Sequence, residues 1–313
     1  MISIVCTTFN DEVEIVSLIQ DICSQTELPD EMIIADGGSS DNTVQTINNM
    51  SKNSPFPIKV IGGKRLNISQ GLNLAIQVSS GDIIGIVGTG NRYDVDYIRQ
   101  LKEALLCDEE TKVAYPPIRG QNTTKFAKLY NEAFLKGEKG NRIPSNHGGL
   151  LRREVFQKYG LFYDGFVYAG EDTEFYDRLK RNDCKMVCAE NAFVWWDVPH
   201  DFNQFKKQIN NYMIATLQID NNKTIFRRYY KQCLGLFSFL FCMICIVLKK
   251  KKIGFCTLSV MTLYFIGLCM KYGISISFLK QYRKTNQLFS IIKNKKYLSS
   301  RYNVDSELIK YLS

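Results

Sequence analysis

The alternation of short β-branched runs with amphipathic segments over the first hundred residues restricts the fold more than any other feature of this sequence. Apolar runs lie at residues 2–6, 32–35, 58–61 and 82–87, and each is followed by a segment of helical periodicity. Strands that alternate with helices in this way are typical of a parallel sheet wound by helices. The run at 82–87 is almost continuously apolar, so we expect a central strand there. The sequence predicts a Rossmann-like α/β domain with a mostly parallel sheet.

Helical periodicity predicts the segments that connect these strands. Helices are expected at residues 11–23, 41–50, 69–78, 94–106 and 123–135. Asp94 is suited to cap the fourth of them, because aspartate is a favoured N-cap residue. Further along, short strands are expected near 185–188 and 192–196, and an amphipathic helix is expected over 202–217.

The distribution of charge divides the chain near residue 222. Residues 223–313 contain 17 Lys and Arg against 2 Asp and Glu, whereas the whole chain has a net charge of +9, so the first 222 residues carry about −6. Two apolar runs, 233–248 and 253–270, lie within the basic part and are separated by four lysines. Cations beside apolar helices attract anionic lipid headgroups, which accounts for this tail better than nucleic-acid binding does.

The two apolar runs have 16 and 18 residues, slightly fewer than the ~20 of an untilted membrane span. If both crossed, the lysines between them would lie away from the cytosol, against the positive-inside tendency. A hairpin that dips into one leaflet avoids this conflict, and a buried helical pair is the alternative. We predict an α/β domain at 1–222 and a membrane-associated helical region at 223–313. Cys242 and Cys245 form a CxxC, but no second pair or His-rich partner accompanies them, so we interpret them as apolar side chains. A reducing compartment is consistent with this, and the domain is expected on the cytoplasmic side of the cell membrane.

Polar residues follow the first two predicted strands. Ligands bind at the carboxyl ends of the strands in a wound sheet, so both motifs are expected near a site. The second motif, IIADGGSSDNT, contains Asp36, which can accept the imide N–H of a uracil or a ribose hydroxyl, or can simply organise its own turn. The first motif, SIVCTTFNDE, contributes Thr7, Thr8, Asn10, Asp11 and Glu12.

Together these motifs resemble the start of the family-2 glycosyltransferases, which have a GT-A fold. The resemblance continues through GLNLAI, SSGDIIGIV, RREVF, GEDTEF and WWDVP, and it covers roughly residues 2–215. It implies that a nucleotide-sugar donor binds at the strand ends. The residues that it places around the base, the ribose and the diphosphate are Thr7, Thr8, Asn10, Glu12, Asp36, Lys64, Arg65 and Asn73.

The segment GEDTEF resembles the catalytic Glu-Asp motif of the family. An inverting sugar transfer needs a carboxylate to take the proton from the attacking acceptor hydroxyl. The resemblance implies Asp172 as this base and Glu171 as its acceptor-positioning neighbour. A helix start, which favours acidic residues for dipole reasons, is the alternative. Gln208 matches one position of a Gln-x-x-Arg-Trp motif of membrane relatives, and Trp196 ends a strand, so both are candidates to contact the acceptor or the diphosphate.

One motif of the family is missing. After the fourth strand the family usually carries Asp-x-Asp, which holds a divalent cation on the sugar diphosphate, but Gly88, Thr89 and Gly90 occupy these positions. Mg²⁺ and Mn²⁺ require oxygen ligands, which a glycine side chain does not supply. Asp94 and Asp96 follow a turn too late, which indicates residues of a helix start.

Three interpretations of this gap stay open. Lys64, Arg65 or helix N-terminal amides can neutralise the diphosphate, or a metal can be held weakly through water and the donor. The third is a non-catalytic nucleotide-sugar-binding or scaffold subunit. A dinucleotide motif is excluded because its third glycine would be Tyr93. Asp172 favours an enzyme, and we predict sugar transfer from a UDP-type donor to a lipid-linked or growing-glycan acceptor in cell-surface polysaccharide synthesis.

Overall fold

The computed structural model describes residues 1–166, 170–205, 207–208 and 211. Its strands are β1 (Ile2–Thr8), β2 (Glu31–Asp36), β3 (Ile58–Gly62), β4 (Ile83–Val87), β5 (Asn91–Tyr93), β6 (Val113–Tyr115), β7 (Ile118–Gly120), β8 (Gly148–Arg152), β9 (Met186–Cys188) and β10 (Val194–Trp196). Its helices are α1 (Glu14–Cys23), α2 (Thr43–Ser51), α3 (Ile68–Val78), α4 (Tyr97–Leu106), α5 (Lys125–Phe134), α6 (Arg153–Tyr159) and α7 (Glu171–Arg181), with a 3₁₀ turn at Gly137–Lys139.

Seven strands form the main sheet in the order β3-β2-β1-β4-β8-β6-β9. The neighbours from β3 to β4 are parallel, and β8 runs antiparallel to both β4 and β6. The run predicted as a central strand is β4, and it lies in the middle of this order. A second sheet has the order β5-β10-β7 and pairs Trp196 with Asn91 and Gly120.

Both faces of the main sheet are covered by helices. Buried side chains of α1, α2 and α4 share one core with Ile4 and Ile34, which point to one side of their strands. Those of α3, α6 and α7 share a second core with Val5 and Ile33, which point to the other side. This doubly covered sheet confirms the α/β expectation, because a mostly parallel sheet has to bury both faces.

The chain divides into two compact units, and both sheets belong to the first, which comprises residues 1–121, 138–164 and 171–197. Of the described residues, the second contains 122–137, 165–166, 170, 198–205, 207–208 and 211. Within it, Thr124 caps α5 by accepting a hydrogen bond from the Ala127 amide at 3.0 Å. The ring of Phe205 is fully buried and lies 5.7 Å from that of Phe134 and 6.0 Å from that of Tyr130.

Several predicted boundaries are corrected by local hydrogen bonds. The fourth helix begins at Tyr97, so the prediction of Asp94 as its N-cap is wrong. Asp94 instead closes a turn, since its carboxylate accepts the Asp96 amide at 3.0 Å and its carbonyl accepts the Tyr97 amide at 3.0 Å. The first helix begins at Glu14 and not at Asp11.

Four strands escaped prediction, and sequence explains why. β5, β6 and β7 have three residues each, too few to show an alternating pattern. β8 begins with two glycines, which are weak strand formers. A Cβ at Gly148 would lie 2.5 Å from the Tyr97 hydroxyl, so glycine is required there for close packing.

The membrane segments predicted at 233–248 and 253–270, and most of the helix predicted at 202–217, lie outside the described residues. In the part of the chain that the structure describes, no helix is long and apolar enough to cross a membrane.

Candidate active site

The site is built where β1, β2 and β4 end. β1 lies between β2 and β4, parallel to both, and Thr8 pairs in register with Asp36. The carboxyl ends of parallel strands meet at one edge, so the segments that follow β1, β2 and β4 are neighbours there. The two N-terminal motifs therefore lie together, as the sequence indicated.

Asp36 organises the glycine turn after β2. Its side chain is 2% exposed, and its carboxylate accepts the Gly38 amide at 3.0 Å and the Ser39 amide at 3.1 and 3.2 Å. These bonds hold the carboxylate in one orientation at the sheet edge. Each carboxylate oxygen has two lone pairs, so Asp36 keeps the capacity to accept a further hydrogen bond from a ligand.

Two cations lie against this turn. Gly38 has φ +88°, and a Cβ there would lie 3.3 Å from the backbone carbon of Lys64. Only glycine adopts this conformation at low cost, and its small size lets the Lys64 backbone approach the turn. Lys64 and Arg65 are exposed, and neither side chain forms a hydrogen bond or ion pair with another described residue. The segment that carries these two exposed cationic residues therefore packs its backbone against the Asp36 turn.

The loop after β1 is tied to the segment after β2 by short polar contacts. Asn10 has φ +54°, its amide donates to Ser39 Oγ at 2.9 Å, and its Oδ1 accepts the Ser40 amide at 2.8 Å. Glu12 accepts a hydrogen bond from the Asn42 side chain at 3.1 Å. Thr7 points the other way, toward α3, where a Cβ on Gly71 would lie 2.5 Å from its methyl carbon. These contacts hold the loop in shape, and contact of the three predicted residues with a nucleotide stays a prediction.

Asp11 connects the β1 loop to the turn after β4. Its Oδ2 accepts hydrogen bonds from Thr89 Oγ1 at 2.8 Å, from Thr8 Oγ1 at 3.2 Å and from the Phe9 amide at 3.3 Å. One carboxylate oxygen thus gathers three donors from two segments. The sequence placed Asp11 near the site but gave no indication of this bridging role, because its partner Thr89 is 78 positions away.

The turn after β4 is fixed by an internal network. The Gly88 amide donates to the Tyr93 hydroxyl at 2.8 Å, and the Asn91 side chain donates to the Gly88 carbonyl at 3.0 Å. The Tyr93 hydroxyl donates in turn to the His147 carbonyl at 2.8 Å. This network joins the turn to the segment that leads into β8.

His147 completes the network with its ring. The Asn91 side chain donates its Nδ2–H to the Gly88 carbonyl, so the Asn91 Oδ1 is the atom that faces His147 Nδ1, 3.1 Å away. Because an amide oxygen can only accept, the proton of this hydrogen bond is on His147 Nδ1. Burial lowers the pKa of His147 to about 4, so the ring is neutral at pH 7. The ring centroid of Trp196 lies 4.5 Å from that of His147. Motif analysis gave His147 no defined role, since its partners lie far from it in sequence.

Asp172 lies in the first turn of α7 and accepts a hydrogen bond from the backbone of Asn146, the residue before His147. Burial raises the pKa of its carboxyl, while hydrogen bonds from Thr173 and from the Asn146 backbone oppose the shift. The Thr173 amide bond measures 2.6 Å. A carboxylate whose pKa is raised is a stronger proton acceptor, and the helix start holds it in place.

Comparison with protein families decides what kind of domain this is. The sequence model of Glycosyl transferase family 2 matches residues 3–162, just over half of the chain. The chain belongs to glycosyl transferase family 2. The match stops at residue 162, so it contains the loop after β1, the turn after β2 and the turn after β4, but not Asp172.

Two solved structures are similar to this family 2 transferase. A mannosyltransferase from Pyrobaculum calidifontis, PcManGT in complex with GDP-Man and Mn²⁺, has a TM-score of 0.60 at 13% identity, covering 88% of this chain and 86% of that chain. S. aureus TarS has a TM-score of 0.51 at 16% identity, covering 76% of this chain and 43% of TarS, so this chain spans less than half of TarS. At these identities the likeness shows the GT-A fold alone. No curated protein matches the sequence.

The turn that replaces the Asp-x-Asp motif lacks the side-chain oxygen ligands that a divalent cation needs. Its one side-chain oxygen, Thr89 Oγ1, donates to Asp11. Asp96 of the later Asp-x-Asp is bound to Thr26 at 2.6 Å and to Arg99 at 2.9 Å. No group of three or more His, Cys, Asp or Glu side chains is placed to hold a metal within the described part of the transferase.

Two polar residues of the family-like motifs, Asn73 and Arg153, form hydrogen bonds to the backbone of the domain. Both ends of the Asn73 amide are bonded to the Phe162 backbone, at 2.8 and 3.0 Å, which leaves less capacity for the predicted nucleotide contact. Arg153, at the start of α6, donates to the carbonyls of Gly81, Ile76 and Ser79. These contacts give Arg153 a structural role, because they tie the start of α6 to the end of α3 and the segment before β4.

The remaining predicted residues are distributed over the two units. Glu171, the first residue of α7, is buried at 8% exposure and lies with Asp172 in the first unit. Gln208 belongs to the second unit, where its side chain neighbours the Tyr130 hydroxyl. Contact of Trp196 or Gln208 with an acceptor stays a prediction.

Proposed function

We propose that this family 2 transferase moves a hexose-type sugar from a UDP-type donor to an acceptor hydroxyl, with inversion at the anomeric carbon. The observation that carries the proposal is the Asp172 carboxylate. It is partly buried, its pKa is raised by burial, and its neighbour Asn146 joins it to the network around the turn after β4. A binding domain without catalysis has no need for a carboxylate prepared in this way.

The donor site follows from the turn after β2. Asp36 is oriented to accept an N–H of the base or a ribose hydroxyl, and a uracil imide has a suitable donor. The backbone of Lys64 and Arg65 lies against that turn and both side chains are exposed, which supports the proposal that they bind the diphosphate. Two cations compensate the negative charge that develops on the leaving diphosphate, in the role that carboxylate-held metal has in other members.

The transfer step needs one proton acceptor. Asp172 takes the proton of the acceptor hydroxyl while that oxygen forms a bond to the anomeric carbon. The bond from this carbon to the phosphate oxygen breaks, and the nucleoside diphosphate leaves with the electron pair. Attack from the face opposite the leaving group inverts the configuration. General-base assistance of this kind contributes about 10²–10⁴ in rate.

The acceptor is proposed to be lipid-linked or a growing glycan at the cytoplasmic face of the cell membrane, in cell-surface polysaccharide synthesis. The support is the basic region 223–313 and its two apolar runs, which suit a membrane surface. An enzyme held at that surface meets a lipid-linked substrate at high effective concentration.

A panel of nucleotide sugars tests the proposal. The purified full-length chain is incubated with UDP- and GDP-linked hexoses and a membrane lipid extract, and release of nucleoside diphosphate is measured together with label in the lipid and glycan fractions. We expect a UDP-sugar to be consumed and its label to appear in one of those fractions. The double variant Lys64→Ala/Arg65→Ala should raise the donor KM about a hundredfold or more, since charge-assisted hydrogen bonds contribute about 1.5–3 kcal/mol each and about 1.4 kcal/mol is a factor of ten. Lys52→Ala, a change of another exposed lysine, is the matched control.

One observation favours a second candidate function. Gly88 and Gly90 stand where the family usually has carboxylates, which suits a subunit that binds nucleotide sugar beside an active partner. This alternative predicts donor binding without product in the same panel, with every acceptor fraction unlabelled. That result would overturn the transferase proposal.

A further inference from the structure

We infer that the Asn146 side chain binds hydroxyl groups of the transferred sugar and helps to select it. The inference rests on the proposed transfer reaction. It begins with an amide whose Oδ1 and Nδ2 are both buried and both without a hydrogen-bond partner. Asparagine can form up to four hydrogen bonds through these two atoms, and Asn146 forms none.

An amide buried in this way destabilises the folded chain. Leaving one buried polar group unsatisfied costs about 1–3 kcal/mol, and native proteins contain few such groups. Most polar side chains of this region are satisfied, including Asn91, Thr89 and Tyr93, although the buried Tyr97 hydroxyl also has no partner among the described residues. Asn146 differs from Tyr97 in that two polar atoms, a donor and an acceptor, are unsatisfied together, which is typical of a residue that binds a ligand.

The location of Asn146 indicates which ligand. Its backbone N–H donates to Asp172, and its carbonyl lies 3.8 Å from the point where Gly88 would carry a Cβ. Asn146 thus lies between the proposed base and the turn after β4, where the family holds the sugar diphosphate. The anomeric carbon has to lie between the base-activated hydroxyl and the diphosphate, so the transferred sugar ring belongs beside Asn146.

The chemistry of the amide suits a sugar. Each hydroxyl both donates and accepts, and an amide presents a donor and an acceptor side by side, so one amide can engage two adjacent hydroxyls. The orientation of those hydroxyls differs between epimers, which gives the contact its selectivity. Because both amide atoms are closed to solvent in the donor-free chain, the segment 144–146 has to shift when the sugar binds.

Asn146→Ala and Asn146→Leu test the inference, with Asn182→Ala as the matched control. Asn182 donates to the Arg178 carbonyl at 2.8 Å, at the far end of α7, and has no place in the proposed site. The kcat/KM is measured for UDP-linked gluco, galacto and manno hexoses, together with the inhibition constant of free UDP and the Tm. Leucine keeps the approximate shape of the asparagine side chain without its polar atoms. The leucine variant therefore tests the inference even if the cavity left by alanine prevents folding.

We expect both Asn146 variants to lower kcat/KM for the preferred donor on the order of tenfold and to change the ratio among epimers. The inhibition constant of UDP should stay within twofold, since UDP lacks the sugar. The Tm should stay equal or rise, because an unsatisfied amide has been removed, and Asn182→Ala should leave the epimer ratio unchanged. An unchanged epimer ratio in both Asn146 variants, or a fall in Tm with an equal loss for every donor, would overturn the inference while the transferase proposal stands. Absence of turnover in the wild type with every donor would overturn both.

Discussion

Three aspartates near the site illustrate how surroundings decide the role of one residue type. Asp36 receives backbone amides and is held as an oriented acceptor. Asp11 receives two hydroxyls and joins two loops. Asp172 is partly buried, and burial raises the pKa of its carboxyl. At the scale of single residues, the first two are suited to hold shape and ligand, and the third to accept a proton.

The low pKa of His147 leads to a prediction about stability and pH. Burial lowers this pKa from 6.5 to about 4, so the unfolded chain binds the proton first as the pH falls. The stability that the neutral His147 ring contributes to the folded chain is complete above pH 6.5 and is lost as the pH falls from about 6.5 to 4. Relative to His147→Gln, the wild type should lose about 2 kcal/mol of unfolding free energy between pH 7 and pH 4.5, at 1.36 kcal/mol per pKa unit.

Urea titrations of both proteins at several pH values measure this difference. Comparison with the variant removes the contributions of other titrating groups, because they are common to the two chains. Parallel curves of stability against pH would show that the His147 ring is solvated and that its pKa is ordinary.

Short motifs revealed part of this residue-scale picture. Asp36 and Asp172 lie in compact segments, IIADGGSSDNT and GEDTEF, whose chemistry is visible within ten residues. The network of Asn91, Tyr93 and His147 joins residues more than fifty positions apart, and no local pattern announces it. The unsatisfied state of Asn146 is likewise a property of packing, which sequence alone does not encode.

At the scale of elements, a buried ion pair within α7 helps to hold this helix against the end of α6. Arg178 bonds Glu174 at 2.9 Å through both nitrogens of its fork, and both side chains are under 10% exposed. Arg178 also donates to the carbonyls of Gly160 and Leu161, at the end of α6. These bonds fasten the helix that carries Asp172 to the preceding helix.

Removal of this arginine should be costly. Arg178→Met leaves the Glu174 carboxylate buried and uncompensated, so we expect a loss of about 3–5 kcal/mol in unfolding free energy. The exposed pair of Arg142 and Glu190, at 40% and 55% side-chain exposure, provides the control. Arg142→Met should cost less than about 1 kcal/mol. Equal losses for the two variants, measured by urea unfolding, would contradict the anchoring role.

The elements themselves were predicted well where their periodicity is long. The strands and helices from β1 to α3 appear in the expected order, with boundaries that differ by one to three residues. The errors occur at helix starts, where Asp94 and Asp11 use their side chains for turns and bridges in place of caps. Strands of three residues escaped because their pairing is decided by tertiary contacts and not by local pattern.

At the scale of the whole molecule, the proposed chemistry relies on the charges of the protein where the family usually relies on carboxylates and metal. Chelation is therefore predicted to have little effect. Turnover of the preferred donor should persist in EDTA to within a few-fold of its value with Mn²⁺, because in the proposed donor site Lys64 and Arg65 neutralise the diphosphate. Complete loss in EDTA with full recovery on Mn²⁺ would show that the donor itself recruits a metal.

The direct test of the account is sugar transfer by Asp172→Asn. Asparagine keeps the shape of the side chain but accepts no proton, so label transfer should fall by about 10²–10⁴ while donor affinity stays near the wild-type value. Asp177→Asn, an exposed aspartate of the same helix, should transfer sugar at the wild-type rate. Equal transfer by Asp172→Asn and wild type would contradict the assignment of Asp172 as the base, and with it the central claim.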